Sequence, residues 1–239
     1  MNRKNILKSI LKTKNKYEQE GLKIYSLLVE NFSETYFVGG MIRDILLGKK
    51  ITDIDIAIKA SPDKVIPLLR NHGYSLNTSA QRFGVVSVET DSKLIEITSF
   101  RKEIYDGSRY PKIVLSKSLA TDSKRRDFTI NSLYFNVKLN KIIDPHNGLK
   151  DLSTGTIKLI GDPITKLNED PLRILRAYRF ARQLNFHFEQ LTKEALENKL
   201  NLVNNLTQAK IISEINKSSS RNVKTFLQKK FHKYLHKNL

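Results

Sequence analysis

Two aspartates, Asp53 and Asp55, stand two residues apart in the segment ITDIDIAIKA, where Ile and Ala alternate with Asp, Thr and Lys. This alternation predicts a strand with one polar face, and residues two apart on a strand project from the same face. Two neighbouring carboxylates repel each other unless a cation lies between them, and hard oxygen ligands of this kind suit Mg²⁺. The pair indicates either a magnesium site or, as is more common for an isolated Asp-x-Asp, a solvated strand face.

The neighbouring segments carry further candidate groups. Gly39 and Gly40 follow the apolar run YFV and precede the predicted helix MIRDILLG. Glycines allow the backbone to approach a phosphate, and a helix N-terminus offers free N–H groups. Arg43, one turn into that helix, is suitably spaced for a phosphate oxygen. The alternative is a tight turn without a ligand. Glu96, in KLIEITSF, is either a hairpin-face residue or a third carboxylate for metal ions.

Together these groups point to metal-assisted nucleotidyl transfer. In that chemistry one metal ion lowers the pKa of an attacking 3′-hydroxyl, another holds the departing pyrophosphate, and both neutralise the in-line transition state. The protein supplies the geometry and the charge.

The elements that must position these residues can be predicted from periodicity. Residues 1–31 are expected to be helical, SPDKVIPLLRNHG is expected to be a helix that stops at Gly73, and FGVVSVET with KLIEITSF predicts a hairpin. Residues 101–115 are expected to form a mobile loop. A helical start near Asp127 precedes the short strands of LYFNVKLNKIID, which turn at Leu139 and Asn140. From Asp162 onward the pattern is helical. The predicted fold is therefore α+β, a small mixed or antiparallel sheet flanked by helices, followed by an all-α part.

Composition limits the function classes. The 239-residue chain has no cysteine, which excludes disulfides, thiolate zinc sites and thiol nucleophiles and fits a reducing cytoplasm. No apolar run approaches the ~20 residues that span a bilayer, and the N-terminus lacks a secretory signal pattern. The net charge of +18 favours a polyanionic partner such as RNA, or it reflects an AT-rich genome. No acidic residue follows Glu214, so the basic tail is either an RNA-binding surface or an exposed terminal helix.

Five ordered motifs carry a resemblance to a known family. The segment VGGMIRDILLGKKITDIDIAI is similar to the signature of the class II tRNA nucleotidyltransferase and bacterial poly(A) polymerase family, within the DNA polymerase beta superfamily. The likeness continues through IEITSFR, RRDFTINSLYFN, IIDPHNGLKDL and EDPLRILRAYRFARQLNF, covering roughly residues 35–190. It implies an N-terminal helical extension (1–31), a catalytic nucleotidyltransferase head (32–150) and a helical neck (151–239) that recognises the base and binds RNA. The family pattern continues into body and tail domains, so we expect either a complete short enzyme or a chain cut short after the neck.

The resemblance also implies a protein template for the incoming base. In EDPLR, Asp170 and Arg173 hold that role in the family, and their spacing predicts that both lie on one helix face. A carboxylate acceptor beside a guanidinium donor complements the amine and ring nitrogen of cytosine and adenine, whereas uracil and guanine present the reverse order. The alternative for this pair is an intrahelical salt bridge.

Other family residues are expected around the nucleotide. Arg176 and Arg179 continue the spacing by threes and predict a cationic stripe for the triphosphate. By resemblance, Arg126 and Asp127 contact the nucleotide, with Asp127 at the ribose hydroxyls and Asn131 orienting them. Gly148 is either a hinge between head and neck or part of a plain turn.

The implied activity is addition of C, A or both from CTP and ATP to tRNA 3′ ends, with Mg²⁺ as cofactor. Alternatives are poly(A) synthesis on RNA 3′ ends, partial CC- or A-addition, and a non-catalytic RNA-binding relic. The segment QRFGVVSVETDSKLIEITSFR is similar to the version in CCA-adding members, whereas LYFN and LIGDP also suit the polymerases. No membrane association and no obligate protein partner are expected.

Overall fold

The computed structural model describes residues 13–91, 93–105 and 111–235. Its described residues divide into two compact units. The first unit contains the described residues between 13 and 126 together with residues 130–148. The second unit contains residues 127–129 and 149–235. Within the described ranges, no helix is long and apolar enough to cross a membrane.

A seven-stranded mixed sheet forms the centre of the first unit. The strands of this unit, inside and outside that sheet, are β1 (Thr35–Val38), β2 (Ile54–Ile58), β3 (Leu76–Asn77), β4 (Val85–Glu89), β5 (Leu94–Ser99), β6 (Arg101–Ile104), β7 (Lys112–Leu115), β8 (Tyr134–Asn136) and β9 (Lys141–Ile143). The sheet order is β3-β4-β5-β2-β1-β8-β9, in which β2 and β5 run parallel and the other neighbours run antiparallel. Strands β6 and β7 form a separate hairpin. The predicted β4–β5 hairpin is confirmed.

The alternation in β2 gives the strand two different faces. Ile54, Ile56 and Ile58 are buried on one face. On the other, Ala57 is buried in a cluster of apolar residues, and Asp55 is only half-buried. That cluster consists of Tyr36, Val38, Ala57, Phe100 and Tyr134. The acidic position therefore lies at the edge of a well-packed face.

Among its described residues, the first unit has four α-helices: α1 (Lys16–Asn31), α2 (Gly40–Leu46), α3 (Pro62–Asn71) and α4 (Leu119–Lys124). Asn15 caps α1 by accepting the Glu18 N–H at 3.3 Å, and Ser118 caps α4 by accepting the Thr121 N–H at 3.3 Å. The predicted N-terminal helix is confirmed over Lys16–Asn31 and is wrong for residues 13–15, which are not helical, while residues 1–12 lie outside the described residues. The predicted helix before Gly73 is confirmed as α3.

Two local predictions are wrong, and a third is confirmed in part. Asp53 does not lie within a strand, because β2 begins at Ile54, whose N–H is bound by a tyrosine hydroxyl rather than by a neighbouring strand. The predicted loop from residue 101 to 115 contains the β6–β7 hairpin. Two of its charges pair on one face of β6, since Arg101 Nη2 lies 3.0 Å from Glu103 Oε1. The predicted helical start near Asp127 is confirmed as a short 3₁₀ helix, Thr129–Asn131, and the regular helix α4 ends before it.

The second unit is mainly helical. It contains α5 (Gly148–Thr154), α6 (Pro163–Glu169), α7 (Leu172–Leu184), α8 (Gln190–Asn198), a 3₁₀ helix (Leu200–Asn205), α9 (Gln208–Asn216) and α10 (Arg221–Leu235). The buried positions of α7 recur at helical spacing and include Ile174, Leu175, Ala177 and Phe180. Helix α7 packs against α9 and α10. The predicted helical second part is confirmed, apart from a two-stranded parallel ladder of β10 (Thr156–Ile157) and β11 (His187–Phe188).

Candidate active site

Three acidic residues of the first unit lie near one end of the parallel pair β2–β5. Asp55 is the register partner of Glu96, so both side chains project from the same face of the sheet. Asp53 stands just before β2, is exposed, and accepts a hydrogen bond from the Thr52 hydroxyl at 2.9 Å. The structure thus brings the three predicted acids to the same strand ends.

The donor set fits Mg²⁺ only in part. Across the part of the chain that the structure describes, no three acidic or histidine side chains converge closely enough to form a complete metal site. Protein sites for Mg²⁺ commonly use one or two carboxylates and leave the other positions to water and substrate phosphates. Asp53 and Asp55 match that donor chemistry, while the exposed Glu96 stays a predicted third ligand.

Gly39 allows the backbone to pass directly beside this acidic face. Its φ is +78°, and a Cβ at this position would lie 3.3 Å from Oδ2 of Asp55 and 3.9 Å from Nη1 of Arg126. A side chain would be strained by the backbone angle and would crowd the carboxylate. The glycine turn after β1 therefore provides close access to Asp55, as a phosphate-binding turn requires.

Arg126 is held beside Asp55 by two buried residues that the sequence reasoning missed. Its Nε donates to the Tyr134 hydroxyl at 2.8 Å and its Nη2 to Oδ2 of Asp122 at 3.3 Å. The Tyr134 hydroxyl donates to the same Asp122 oxygen at 2.7 Å. The signal that could have found Asp122 is its spacing, three and four residues before Arg125 and Arg126 on a helix.

Electrostatics keep this cluster charged. Burial disfavours the Asp122 carboxylate, but the positive charges of Arg126 and Arg125 outweigh burial and hold the pKa of Asp122 below its ordinary value. Burial alone would also lower the pKa of Arg126. Tyr134 and Asp122 outweigh that effect, and Asp55 adds to them, so the pKa of Arg126 is raised. Arg126 therefore presents a permanent positive charge next to Asp55.

Arg43 is directed into the protein. Its Nε and Nη2 each donate to a carboxylate oxygen of Asp44 at 2.9 Å, and its Nη1 donates to Oδ1 of Asn131 at 2.6 Å. Arg43 is only 5% exposed. These contacts join the helix behind Gly39 and Gly40 to the 3₁₀ turn that contains Asn131. A direct phosphate contact for Arg43 and a ribose role for Asn131 stay predictions.

Asp127, although adjacent to Arg126, belongs to the helical unit. Its Oδ2 accepts hydrogen bonds from Nε and Nη2 of Arg176 at 2.7 and 2.5 Å, and its Oδ1 accepts the Phe128 N–H at 2.7 Å. Burial alone would lower the pKa of Arg176, but Asp127 outweighs that effect and raises it. The expected ribose-binding acid is thus held by one of the expected triphosphate-binding cations.

The expected arrangement of Asp170 and Arg173 on one helix face is wrong. Asp170 precedes α7 with an extended backbone, and its Oδ1 accepts the Leu172 N–H at 3.0 Å. Arg173 is buried and donates from Nη1 to the Lys166 carbonyl at 2.7 Å and to Glu169 Oε2 at 3.0 Å. The ion pair shown for Arg173 is therefore with Glu169, whose i, i+4 spacing was an available signal.

The three arginines of the predicted cationic stripe on α7 differ in their exposure. Arg173 and Arg179 are buried, whereas Arg176 is partly exposed. Arg179 donates from Nε to Glu214 Oε1 at 2.6 Å and packs over the Phe180 ring at 4.2 Å. Two of the three arginines thus connect helices within the unit, and triphosphate contacts for Arg176 and Arg179 stay predictions.

Residues 35–158, just over half of the chain, match the family described as poly A polymerase head domain. The chain belongs to this family. The family resemblance is thereby confirmed. The structure confirms the α+β fold with its helical second part.

Curated relatives in this family carry two different names. Poly(A) polymerase I of Salmonella typhimurium (strain LT2) is 36% identical over an alignment 209 residues long, which covers 82% of this chain and 44% of the relative. The CCA-adding enzyme of Ligilactobacillus salivarius is 37% identical over an alignment 223 residues long, which covers 90% of this chain and 54% of the relative. The chain spans about half the length of these relatives.

Solved structures of family members resemble the chain over most of its length. The crystal structure of the Bacillus stearothermophilus CCA-adding enzyme in complex with CTP has a TM-score of 0.72 at 30% identity, covering 84% of this chain and 48% of that one. A tRNA nucleotidyltransferase complexed with a primer tRNA and an incoming ATP analog has a TM-score of 0.69 at 30% identity, covering 88% and 60%.

Proposed function

We propose that the chain is a template-independent RNA nucleotidyltransferase that adds C and A from CTP and ATP to tRNA 3′ ends and releases pyrophosphate. The observation that carries this proposal is the close approach of Gly39 to Asp55 with the charged Arg126 beside both. A backbone open to phosphate, a metal-binding carboxylate and a fixed cation are the parts that phosphoryl transfer needs. The CCA-adding relatives at 37% and 30% identity support tRNA as the acceptor.

The proposed division of labour follows the family. Residues 32–150 would be the catalytic head, residues 151–239 the helical neck, and residues 1–31 an N-terminal helical extension. Asp170 and Arg173 would read the base edge and favour C and A over U and G. Their separate anchors support this role, because the Leu172 N–H holds the carboxylate and Glu169 holds the guanidinium. Preorganised polar groups discriminate between bases more sharply than pocket size.

Magnesium is the proposed cofactor, with Asp53 and Asp55 as its ligands and Glu96 as a third carboxylate. When bound, Mg²⁺ supplies charge neutralisation and a more acidic 3′-hydroxyl. The chain's own residues provide the frame: Gly39 leaves space for phosphate, and Arg126 adds a fixed positive charge. Arg43 and Asn131 would act by shaping the turn behind Gly39, given their mutual hydrogen bond.

RNA binding would rest on the positive charge of the chain. The net charge is +18, and the described part of the basic tail forms α10, whose apolar residues Val223, Leu227, Phe231 and Tyr234 are buried. The exposed lysines of this helix would contact RNA phosphates, and the release of counterions from the RNA would favour binding. No obligate protein partner is proposed, and a cytoplasmic location, expected from the lack of cysteine, stays a prediction.

Poly(A) synthesis is the second candidate, because a poly(A) polymerase I is 36% identical to the chain. Product length separates the two. Purified protein with Mg²⁺, tRNA lacking its terminal CCA and both CTP and ATP should yield products extended by up to three nucleotides. Long A-tails would favour the polymerase, addition of C alone or A alone would favour a partial enzyme, and bound but unextended tRNA would favour the RNA-binding relic.

A further inference from the structure

Tyr17, in the first turn of α1, lies beside the acidic face and outside the segment that matches the family. Its hydroxyl donates to the Leu94 carbonyl at 2.9 Å and accepts the Ile54 N–H at 3.0 Å. The side chain is 9% exposed. One phenol oxygen thus connects the first residue of β2 to the first residue of β5.

The two backbone groups that Tyr17 connects belong to the strands that carry the acids. Ile54 stands between Asp53 and Asp55, and Leu94 stands two residues before Glu96. At this end of the parallel pair, the hydroxyl lies between an N–H of one strand and a carbonyl of the other. The hydroxyl therefore bridges the ends of the two acid-bearing strands, in addition to the pairing between β2 and β5.

The charges around the bridge favour its protonated form. Burial raises the pKa of Tyr17 to about 12, against the lowering effect of the Ile54 N–H. The negative charges of Asp53, Asp55 and Glu96 raise it further, which also means that all three acids act on this one hydroxyl. Tyr17 therefore keeps its proton at neutral pH and continues to donate to Leu94.

Neighbouring residues fix the position of the tyrosine. The Lys93 ammonium lies 5.6 Å from the centre of the Tyr17 ring, and its Nζ also contacts the Thr52 carbonyl. One helical turn after Tyr17, a Cβ at Gly21 would lie 2.5 Å from Cδ1 of Ile54. Glycine within a helix costs about 1 kcal/mol relative to alanine, and this close packing of α1 on β2 accounts for its presence.

We propose that Tyr17 is a positioning residue that holds Asp53 and Asp55 at the correct spacing from Glu96. This inference rests on the proposed function for its effect on catalysis. The tyrosine acts through the backbone of β2 and β5, so it affects metal ions and nucleotide only by way of the acids. Loss of a supporting group around metal ligands typically weakens metal affinity or activity by roughly 10–100-fold.

The chain contains a matched control on the same helix. The Tyr25 hydroxyl also donates to a backbone carbonyl, that of Thr35, at 3.1 Å, and accepts a backbone N–H, that of Val137, at 3.2 Å. Tyr17→Phe and Tyr25→Phe each remove one hydroxyl with the same two kinds of backbone partner. Only the first removes it from the acidic strand ends, so stability loss and loss of positioning can be separated.

The test compares the two variants with the wild type in three measurements on the whole chain. These are Mn²⁺ affinity by electron paramagnetic resonance, the Mg²⁺ concentration for half-maximal nucleotide incorporation, and the thermal midpoint. For Tyr17→Phe we expect Mn²⁺ binding about 10-fold weaker and a similar rise in the Mg²⁺ requirement. For Tyr25→Phe we expect wild-type values for both metal measurements, with a comparable drop in the thermal midpoint.

Unchanged metal affinity and Mg²⁺ dependence in Tyr17→Phe would overturn the inference. Equal losses in both variants would also overturn it, because the role would then be structural support alone. If the wild type binds Mn²⁺ but incorporates no nucleotide, the proposed function fails. In that case a weaker Mn²⁺ affinity confined to Tyr17→Phe still supports the positioning role.

Discussion

A Cβ at Gly39 would lie 3.3 Å from Oδ2 of Asp55, so the residue that follows β1 lies directly against a carboxylate of the neighbouring strand β2. The approach follows from the register, because Val38 is the direct partner of Asp55 in the antiparallel pair β1–β2. A strand end next to an acid, with a glycine immediately after it, would let a phosphate contact the backbone and the proposed metal ion together. The site thus depends on sheet register as well as on residue type.

Gly39→Ala should abolish most nucleotide incorporation. The positive φ makes any side chain costly by roughly 1–3 kcal/mol, and the new methyl group would also crowd Asp55. Gly48→Ala is the matched control, since Gly48 has a φ of +69° and nothing within 4 Å of the added Cβ. Both variants should lose stability in urea unfolding, while Gly48→Ala keeps its activity. Equal activity of the two variants would contradict the importance of the Gly39 approach.

The buried carboxylate of Asp122 should make stability depend on pH in the acid range. Its folded pKa is held below its ordinary value, so its contribution is complete above the unfolded pKa of about 3.9 and is lost as pH falls through the folded pKa. Asp122→Asn should be less stable than the wild type by about 3 kcal/mol at neutral pH, because Arg125 and Arg126 lose a buried charge partner.

This effect is measured as the urea concentration at the midpoint of unfolding, determined for both proteins at a series of pH values from about pH 2 to about pH 7. The difference between wild type and Asp122→Asn should be constant from pH 5 to pH 7 and should shrink below about pH 4. A difference that stays the same at all pH values would mean that the charge of Asp122 contributes nothing.

Glu214→Ala should destabilise the helical unit. Glu214 is 1% exposed and accepts from the buried Arg179 at 2.6 Å, so its removal takes away the carboxylate partner of a buried guanidinium. The expected loss is about 3 kcal/mol in the free energy of unfolding. Glu197→Ala, at an exposed position on α8, should change it by less than about 0.5 kcal/mol. Similar values for the two variants would show that the Arg179–Glu214 pair is not a structural link.

Much of the fold could be predicted because periodicity reports burial directly. The alternation around Asp55 and the helical spacing of α7 correspond to faces that are buried in the structure. The predicted helix of α3 and the β4–β5 hairpin also followed from local pattern and end signals. These elements are specified within short segments, so a single sequence is sufficient to find them.

The partners of individual charged residues could not be predicted in the same way. Arg43 bonds to Asn131, 88 residues away, and Arg179 bonds to Glu214, 35 residues away. Spacing along one helix cannot reveal such contacts, so the sequence could not show that these two arginines join elements distant in the chain. The start of β2 at Ile54 was missed for a similar reason, because the hydroxyl that binds its N–H comes from Tyr17.

The most direct test of the account is incorporation of single nucleotides into tRNA that lacks its CCA end, with Mg²⁺, by the wild type and by Asp55→Asn. We expect the wild type to incorporate C and A, to release one pyrophosphate for each nucleotide added, and to leave U and G unused. Asp55→Asn should bind the tRNA with unchanged affinity and incorporate nothing above background. Wild-type incorporation by Asp55→Asn, or equal use of all four nucleotides by the wild type, would contradict the account.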